Sequence, residues 1–205
     1  MRVGRPQEFD RDEALAKAME VFWKRGYEAT SVQDLLDGMG IHRGSMYNTF
    51  GDKQSLFVEA IEHYCTKLRD EVSAVLRRAG SPLGNVLRIM ELWESSVLDD
   101  PARGCLVTNT SVELGPHVPE VGDALTYHFS RLERMLRNAL DRAVDSGEVA
   151  HGTDTRALAR FLVGVNQGLM VMGRAGAGRE TIEDTVGVAR SVLLSSAGGA
   201  DGVRD

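Results

Sequence analysis

Thr30-Ser31-Val32-Gln33-Asp34-Leu35-Leu36-Asp37-Gly38-Met39-Gly40-Ile41-His42-Arg43-Gly44-Ser45-Met46-Tyr47-Asn48-Thr49-Phe50-Gly51-Asp52-Lys53 is the run that decides how this chain folds. Val32, Leu35, Leu36 and Met39 recur at helical spacing. Ser31 with Asp34 reads as a capping box, with Asp where Glu or Gln is usual. Gly40 ends this short helix, Ile41 begins a tight connection, and a second short helix is expected from Arg43 to Thr49. Two short helices joined by a Gly-containing turn form a helix-turn-helix, which lays its second helix in the major groove of DNA.

The residue types suit that task. Arg43 can reach guanine O6 and N7, Gly44 lets backbone approach DNA, and Ser45 and Asn48 are short enough to hydrogen-bond to base edges. Tyr47, Thr49 and Lys53 can hold phosphates, as can the hydroxyls of Thr30 and Ser31 at the start of the preceding helix. Ile41, Met46 and Phe50 are expected to face inward and set the helix angle. Arg2 and Arg5 flank Gly4 and precede Pro6, an arm that can enter a narrow minor groove or simply be a free tail.

Working outward, helices follow one another. Leu15, Ala18, Met19 and Phe22 form one face between Asp10 and Arg25, with acids in the first turn, Lys24 and Arg25 in the last, and Gly26 as a left-handed stop. Gly51-Asp52 breaks the chain and caps a longer helix through Leu56, Phe57, Ala60, Ile61, Tyr64, Leu68, Val72 and Val75. Gly80-Ser81-Pro82 marks a boundary before a helix carrying Val86, Met90, Trp93 and Val97. A short helix is expected from Gly104 to Leu114 and a long one from Val118 to Ser146, then helices over Asp154–Met172 and Thr181–Ser195. The Gly-rich run 197–205 reads as a disordered tail. No segment alternates like a strand. The expected fold is all-α with about nine helices: a three-helix helix-turn-helix domain over 1–52, joined to a helical domain over 53–196.

Composition narrows the function. The chain has 205 residues, 42% hydrophobic and 26% charged, with a net charge of −6, which argues against nonspecific coating of nucleic acid. Residues 1–53 carry eight Lys+Arg against nine Asp+Glu, yet within 40–53 Arg43 and Lys53 face only Asp52, so the expected contact surface is locally positive. No apolar run is long enough for a membrane helix, no signal peptide is read at the start, and two cysteines suit a reduced cytoplasm. The five histidines show no metal-ligand spacing, and Gly115 and Pro116 spoil a shared face for Glu113 and His117. Neither a phosphate loop nor a nucleophile elbow occurs, so no enzyme activity, cofactor or metal is expected.

Gly26-Tyr27-Glu28-Ala29-Thr30-Ser31-Val32-Gln33-Asp34-Leu35 together with Gly40 to Lys53 resembles the DNA-binding domain of TetR-family transcriptional repressors, over about residues 9 to 57. Two positions depart from the family pattern. His42 stands where a better-capping Ser or Thr is usual, and Thr49 where His or Tyr is common.

The resemblance implies a homodimeric repressor on palindromic operator DNA, released by a small-molecule or reactive effector. It implies that the helices over 154–172 and 181–195 pair with their mates in a four-helix interface. Gly164 and Gly168 give the first of these a flat stripe, and its nearly all-round apolarity requires burial on more than one side. A pocket between the middle helices is implied, with Met90, Trp93, Cys105, Asn109, Tyr127, His128, Phe129 and Asn166 as candidates. Gly104-Cys105-Leu106 resembles the segment through which some family members sense electrophiles or oxidants. Cys105 is also readable, and more simply, as a small buried hydrophobe. A second function class stays open at this level: an all-α ligand-binding or protein-interaction module without DNA binding.

Overall fold

The computed structural model describes residues 9–115 and 117–196. Arg2, Arg5 and the tail 197–205 lie outside them. Nine helices and no strand occur among the described residues: α1 (Arg11–Arg25), α2 (Val32–Met39), α3 (Arg43–Phe50), α4 (Lys53–Leu76), α5 (Pro82–Asp99), α6 (Leu106–Glu113), α7 (Pro119–Asp145), α8 (Thr155–Arg174) and α9 (Arg179–Ser195). The all-α reading holds.

Several helices start where a side chain accepts a free amide of the first turn. Asp10 accepts the Glu13 N–H at 2.9 Å to open α1. Ser31 and Asp34 form a reciprocal capping box on α2, the Ser31 oxygen accepting the Asp34 N–H at 3.1 Å and Asp34 accepting the Ser31 N–H at 2.9 Å. Aspartate is long enough for that box here. Gly40 ends α2 in the left-handed conformation (φ 70°, ψ 32°). Gly26 ends α1 differently, at φ 79° and ψ 174°, a region open in practice only to glycine. Asp52 caps α4 by accepting the Ser55 N–H at 2.8 Å.

The described residues form two compact units, one running up to Lys67 and including Cys105–Leu125, the other Leu68–Gly104 with the described residues from Thr126 onward. In the first, Phe22, Leu35, Met46, Leu56, Phe57 and Ile61 are fully buried, and the Phe22 and Phe57 rings meet edge to face at 4.8 Å. α1 and α2 approach closely at Gly38, where a Cβ would come within 2.4 Å of a Val21 methyl.

The second unit packs α5 against α8 and α9, and α8 against α9. Gly173 permits the α5–α8 approach, since a Cβ there would lie 2.4 Å from Val97 Cγ1. Val86, Ile89, Met90, Leu136, Leu140, Leu162, Leu169, Ile182, Val186 and Leu193 supply its core. Burying each such side chain contributes about 1.5–3 kcal/mol. Within a single chain α8 is covered on one side. Ala159, Leu162, Asn166, Leu169 and Met170 are buried, but Phe161 (40% exposed) and Val171 (50%) are open. Nothing lies within 4 Å of a Cβ built on Gly164 or Gly168.

Candidate nucleic-acid interface

α3 is eight residues long and buries two of them, Met46 and Phe50, which lie four apart and fasten one side of it to the core. Ile41 is only half-buried, so the turn is held less by it than its apolar character suggests. The opposite side carries Arg43, Gly44, Tyr47 and Asn48, all exposed, with Ser45 and Thr49 half-exposed at its edges. Arg43 is the only charged residue of α3 and makes no ion pair among the described residues. A Cβ on Gly44 would meet nothing within 4 Å. The fold therefore does not require glycine there, unlike at Gly38. His42 starts α3 without a side-chain cap bond, in keeping with the poor capping of imidazole.

Thr30 and Ser31 are not available as expected. Thr30 is buried, and its hydroxyl donates to the Gly26 carbonyl at 2.6 Å. The Ser31 hydroxyl donates to Asp34 Oδ2 at 2.6 Å. The Ser31 bonds hold the pKa of that carboxylate below the usual Asp range, with Arg25 adding at 2.6 Å. Both hydroxyls stabilise the loop and the helix start instead.

Lys53, the first residue of α4, lies close to α3. Its Nζ stands 4.2 Å from the centre of the Tyr27 ring, and it makes no ion pair among the described residues. Tyr27 is wedged against Phe57 at 4.8 Å and Phe22 at 6.2 Å. Burial raises the pKa of its hydroxyl, with Glu28 and Asp52 adding to the rise. The Tyr27 and Glu28 amides donate to the two oxygens of Glu113, at 3.2 and 2.9 Å. In the sequence Glu113 stands out only beside His117, and Tyr27 only as part of the family-like run. No local spacing signals this contact, because its partners lie 86 and 85 residues apart. Arg11 steadies the C-terminal end of α3, its guanidinium 4.9 Å over the Phe50 ring and bonded to Glu59 at 2.5 Å.

The eight pocket candidates divide between the units. Cys105 and Asn109 belong to the first, and Met90, Trp93, Tyr127, His128, Phe129 and Asn166 to the second. Met90, Trp93 and Asn166 are buried, Tyr127 is 59% exposed, and the His128 and Phe129 rings meet at 5.6 Å. Burial, with Arg69 adding, depresses the His128 pKa to about 4, so its imidazole is neutral at neutral pH. An open recess of about 360 Å³ in the second unit is lined by Leu76, Arg77, Arg78, Asn85 and Arg142, and none of the eight candidates lines it. Cys105 is the N-cap residue of α6, is buried, and accepts a hydrogen bond from the Tyr64 hydroxyl at 3.6 Å. No group of His, Cys, Asp or Glu among the described residues is arranged to hold a metal ion. No helix among them is long and apolar enough to cross a membrane.

Comparison with known proteins places this geometry in a family. Residues 14–60 match the model of bacterial regulatory proteins of the tetR family, and residues 82–186 that of the tetracyclin repressor-like C-terminal domain. The chain is 37% identical to the HTH-type transcriptional regulator YezE of Bacillus subtilis over 196 residues, covering 93% of this chain and 100% of YezE. It is 32% identical to the HTH-type transcriptional repressor ComR of Escherichia coli, over 90% of this chain and 89% of ComR. Its fold is similar, at a TM-score of 0.79 and 35% identity, to a cysteine mutant of the TetR-family regulator CifR in complex with 26-bp double-strand operator DNA, covering 92% of this chain and 98% of that one. The chain belongs to the TetR family of bacterial helix-turn-helix transcriptional regulators.

Proposed function

We propose that this protein is a homodimeric, cytoplasmic, non-enzymatic repressor that reads operator DNA with α3 and leaves it when an effector binds or modifies the protein. Residues 1–52 form the reading domain in this account, and residues 53–196 the sensing and dimerising one. The observation that carries it is the outer face of α3, acid-free, with an Arg43 that makes no ion pair among the described residues and an uncrowded Gly44, backed by Met46 and Phe50. Arg43 reads a base edge bidentately, Ser45 and Asn48 make shorter contacts, and Gly44 allows close approach. Tyr47, Thr49 and Lys53 hold phosphates and set the register. Arg2 and Arg5 reach the adjacent minor groove. The CifR mutant's complex with operator DNA supports the same reading.

Dimerisation is supported by the open side of α8 and α9. Phe161, Gly164, Gly168 and Val171 make one stripe on α8, and Val188 (66% exposed), Val192 (37%) and the open Gly187 lie on the outer side of α9. A second copy covers this face and carries a second α3 to the next half-site. Effector release is a population shift between dimers that match the half-site spacing and dimers that do not. Trp93, Met90 and Asn166, with Asn109, Tyr127, His128 and Phe129, are the noncovalent ligand candidates. Cys105 is the covalent one. It opens the helix that Glu113 closes, so a group added to its sulfur displaces α6 from its start.

Mobility-shift titration with the DNA upstream of the protein's own gene tests the proposal. The expected result is a discrete complex that survives excess random DNA and forms with two chains per site. Equal affinity for random DNA would leave an all-α binding module with no operator.

A further inference from the structure

We propose that Glu113 is a positioning residue for DNA binding: from the end of α6 its carboxylate holds the α1–α2 loop, so that the Tyr27 ring keeps the Lys53 ammonium where a phosphate meets it. This rests on the reading of Lys53 as a phosphate contact.

The clamp is bidentate. Glu113 Oε2 accepts the Tyr27 N–H at 3.2 Å and Oε1 the Glu28 N–H at 2.9 Å. Gly26 makes room for it. A Cβ at that position would stand 3.0 and 3.1 Å from the two carboxylate oxygens, and its φ of +79° belongs to glycine in any case. Such charge-assisted bonds to backbone are about twice as strong as neutral ones. They fix the φ/ψ of the residue whose ring then packs between Phe57, Phe22 and Lys53.

Holding Lys53 by an aromatic face has an electrostatic consequence. A carboxylate partner would neutralise the ammonium and have to be displaced by DNA. The Tyr27 ring orients it and leaves its full charge for a phosphate. Glu113 supplies the rigidity, and its own charge is spent on two amides rather than on the lysine.

The test is operator binding by fluorescence anisotropy at several salt concentrations, on the full-length wild type, Lys53→Ala, Glu113→Gln and the double variant, with thermal melts alongside. In the Glu113→Gln variant one carboxylate oxygen is replaced by an NH₂ facing an N–H, so one clamp bond becomes donor against donor. Lys53→Ala is expected to weaken binding and reduce the log–log salt slope by about two, about one for each chain of the dimer. Glu113→Gln should weaken binding roughly three- to tenfold and reduce the slope in the same direction. The double variant should bind no worse than Lys53→Ala. Tyr27→Leu, which keeps apolar packing but removes the ring, should reproduce the Glu113→Gln result should that variant melt early. A Glu113→Gln loss that adds in full to that of Lys53→Ala, at unchanged slope, would overturn the inference and make Glu113 a structural cap only. Unchanged affinity and slope in Lys53→Ala itself would overturn the phosphate reading of Lys53, and the inference with it.

Discussion

Gly44→Ala is expected to raise the stability of the free protein and lower its affinity for operator, a separation that follows from one void. Gly44 is the second residue of α3, has no positive φ, and offers open space to a Cβ. Alanine is favoured over glycine in a helix by about 0.8–1.0 kcal/mol, somewhat less in a first turn. In a chain of this size that is a rise in Tm of about 1–4 °C. The same methyl has no room if DNA lies against α3. Forcing an added methyl into a packed contact costs about 1–3 kcal/mol, or about five- to 150-fold in Kd for each half-site. Gly38→Ala is the internal control. There the Cβ would lie 2.4 Å from Val21 Cγ2, so the variant should melt lower than wild type rather than higher. Calorimetry and anisotropy on the three proteins provide the comparison. A Gly44→Ala protein that is stabilised and binds operator as wild type would refute the placement of Gly44 against DNA.

Other expectations follow from single features. Val188→Glu puts charge on the open outer side of α9. Sedimentation should show it monomeric with unchanged helix content, and a persistent dimer would remove α9 from the interface. His128 is neutral in the fold because its pKa is depressed from 6.5 to about 4. The unfolded chain therefore binds more protons between those values, and stability is lost as pH falls through that window. His128→Gln should flatten the dependence of Tm on pH across that window, from 6.5 down to about 4, and an unaltered slope there would show that other groups carry it. A thiol-alkylating reagent should release operator from wild type and from Cys65→Ser but not from Cys105→Ser. Equal release from all three would return Cys105 to the role of a small core residue.

Much of the fold was legible because local rules set it. Asp10, Ser31, Asp52 and Ser81 stand at helix starts, and each accepts a backbone amide of the first turn. The inward side of α3 was legible from the i, i+4 spacing of Met46 and Phe50. What escaped depends on contacts distant in sequence or outside the chain. Glu113 reaches amides 85 and 86 residues away, and no periodicity encodes that. The Thr30 and Ser31 hydroxyls read as free because hydroxyls at a helix start suit a phosphate as well as they suit the fold, and their internal partners claim them. Which side of α8 faces its own chain's core was not legible, because apolar composition does not distinguish that core from a second copy.

The central claim is that α3 reads sequence through Arg43. Selection from random DNA defines the operator, and wild type and Arg43→Ala are then titrated against a panel carrying every single-base change. The account requires the variant to lose about 1–3 kcal/mol of discrimination at one base pair of each half-site, with the remaining positions and the helix content unchanged. An Arg43→Ala protein that keeps the wild-type preference at every position would contradict it.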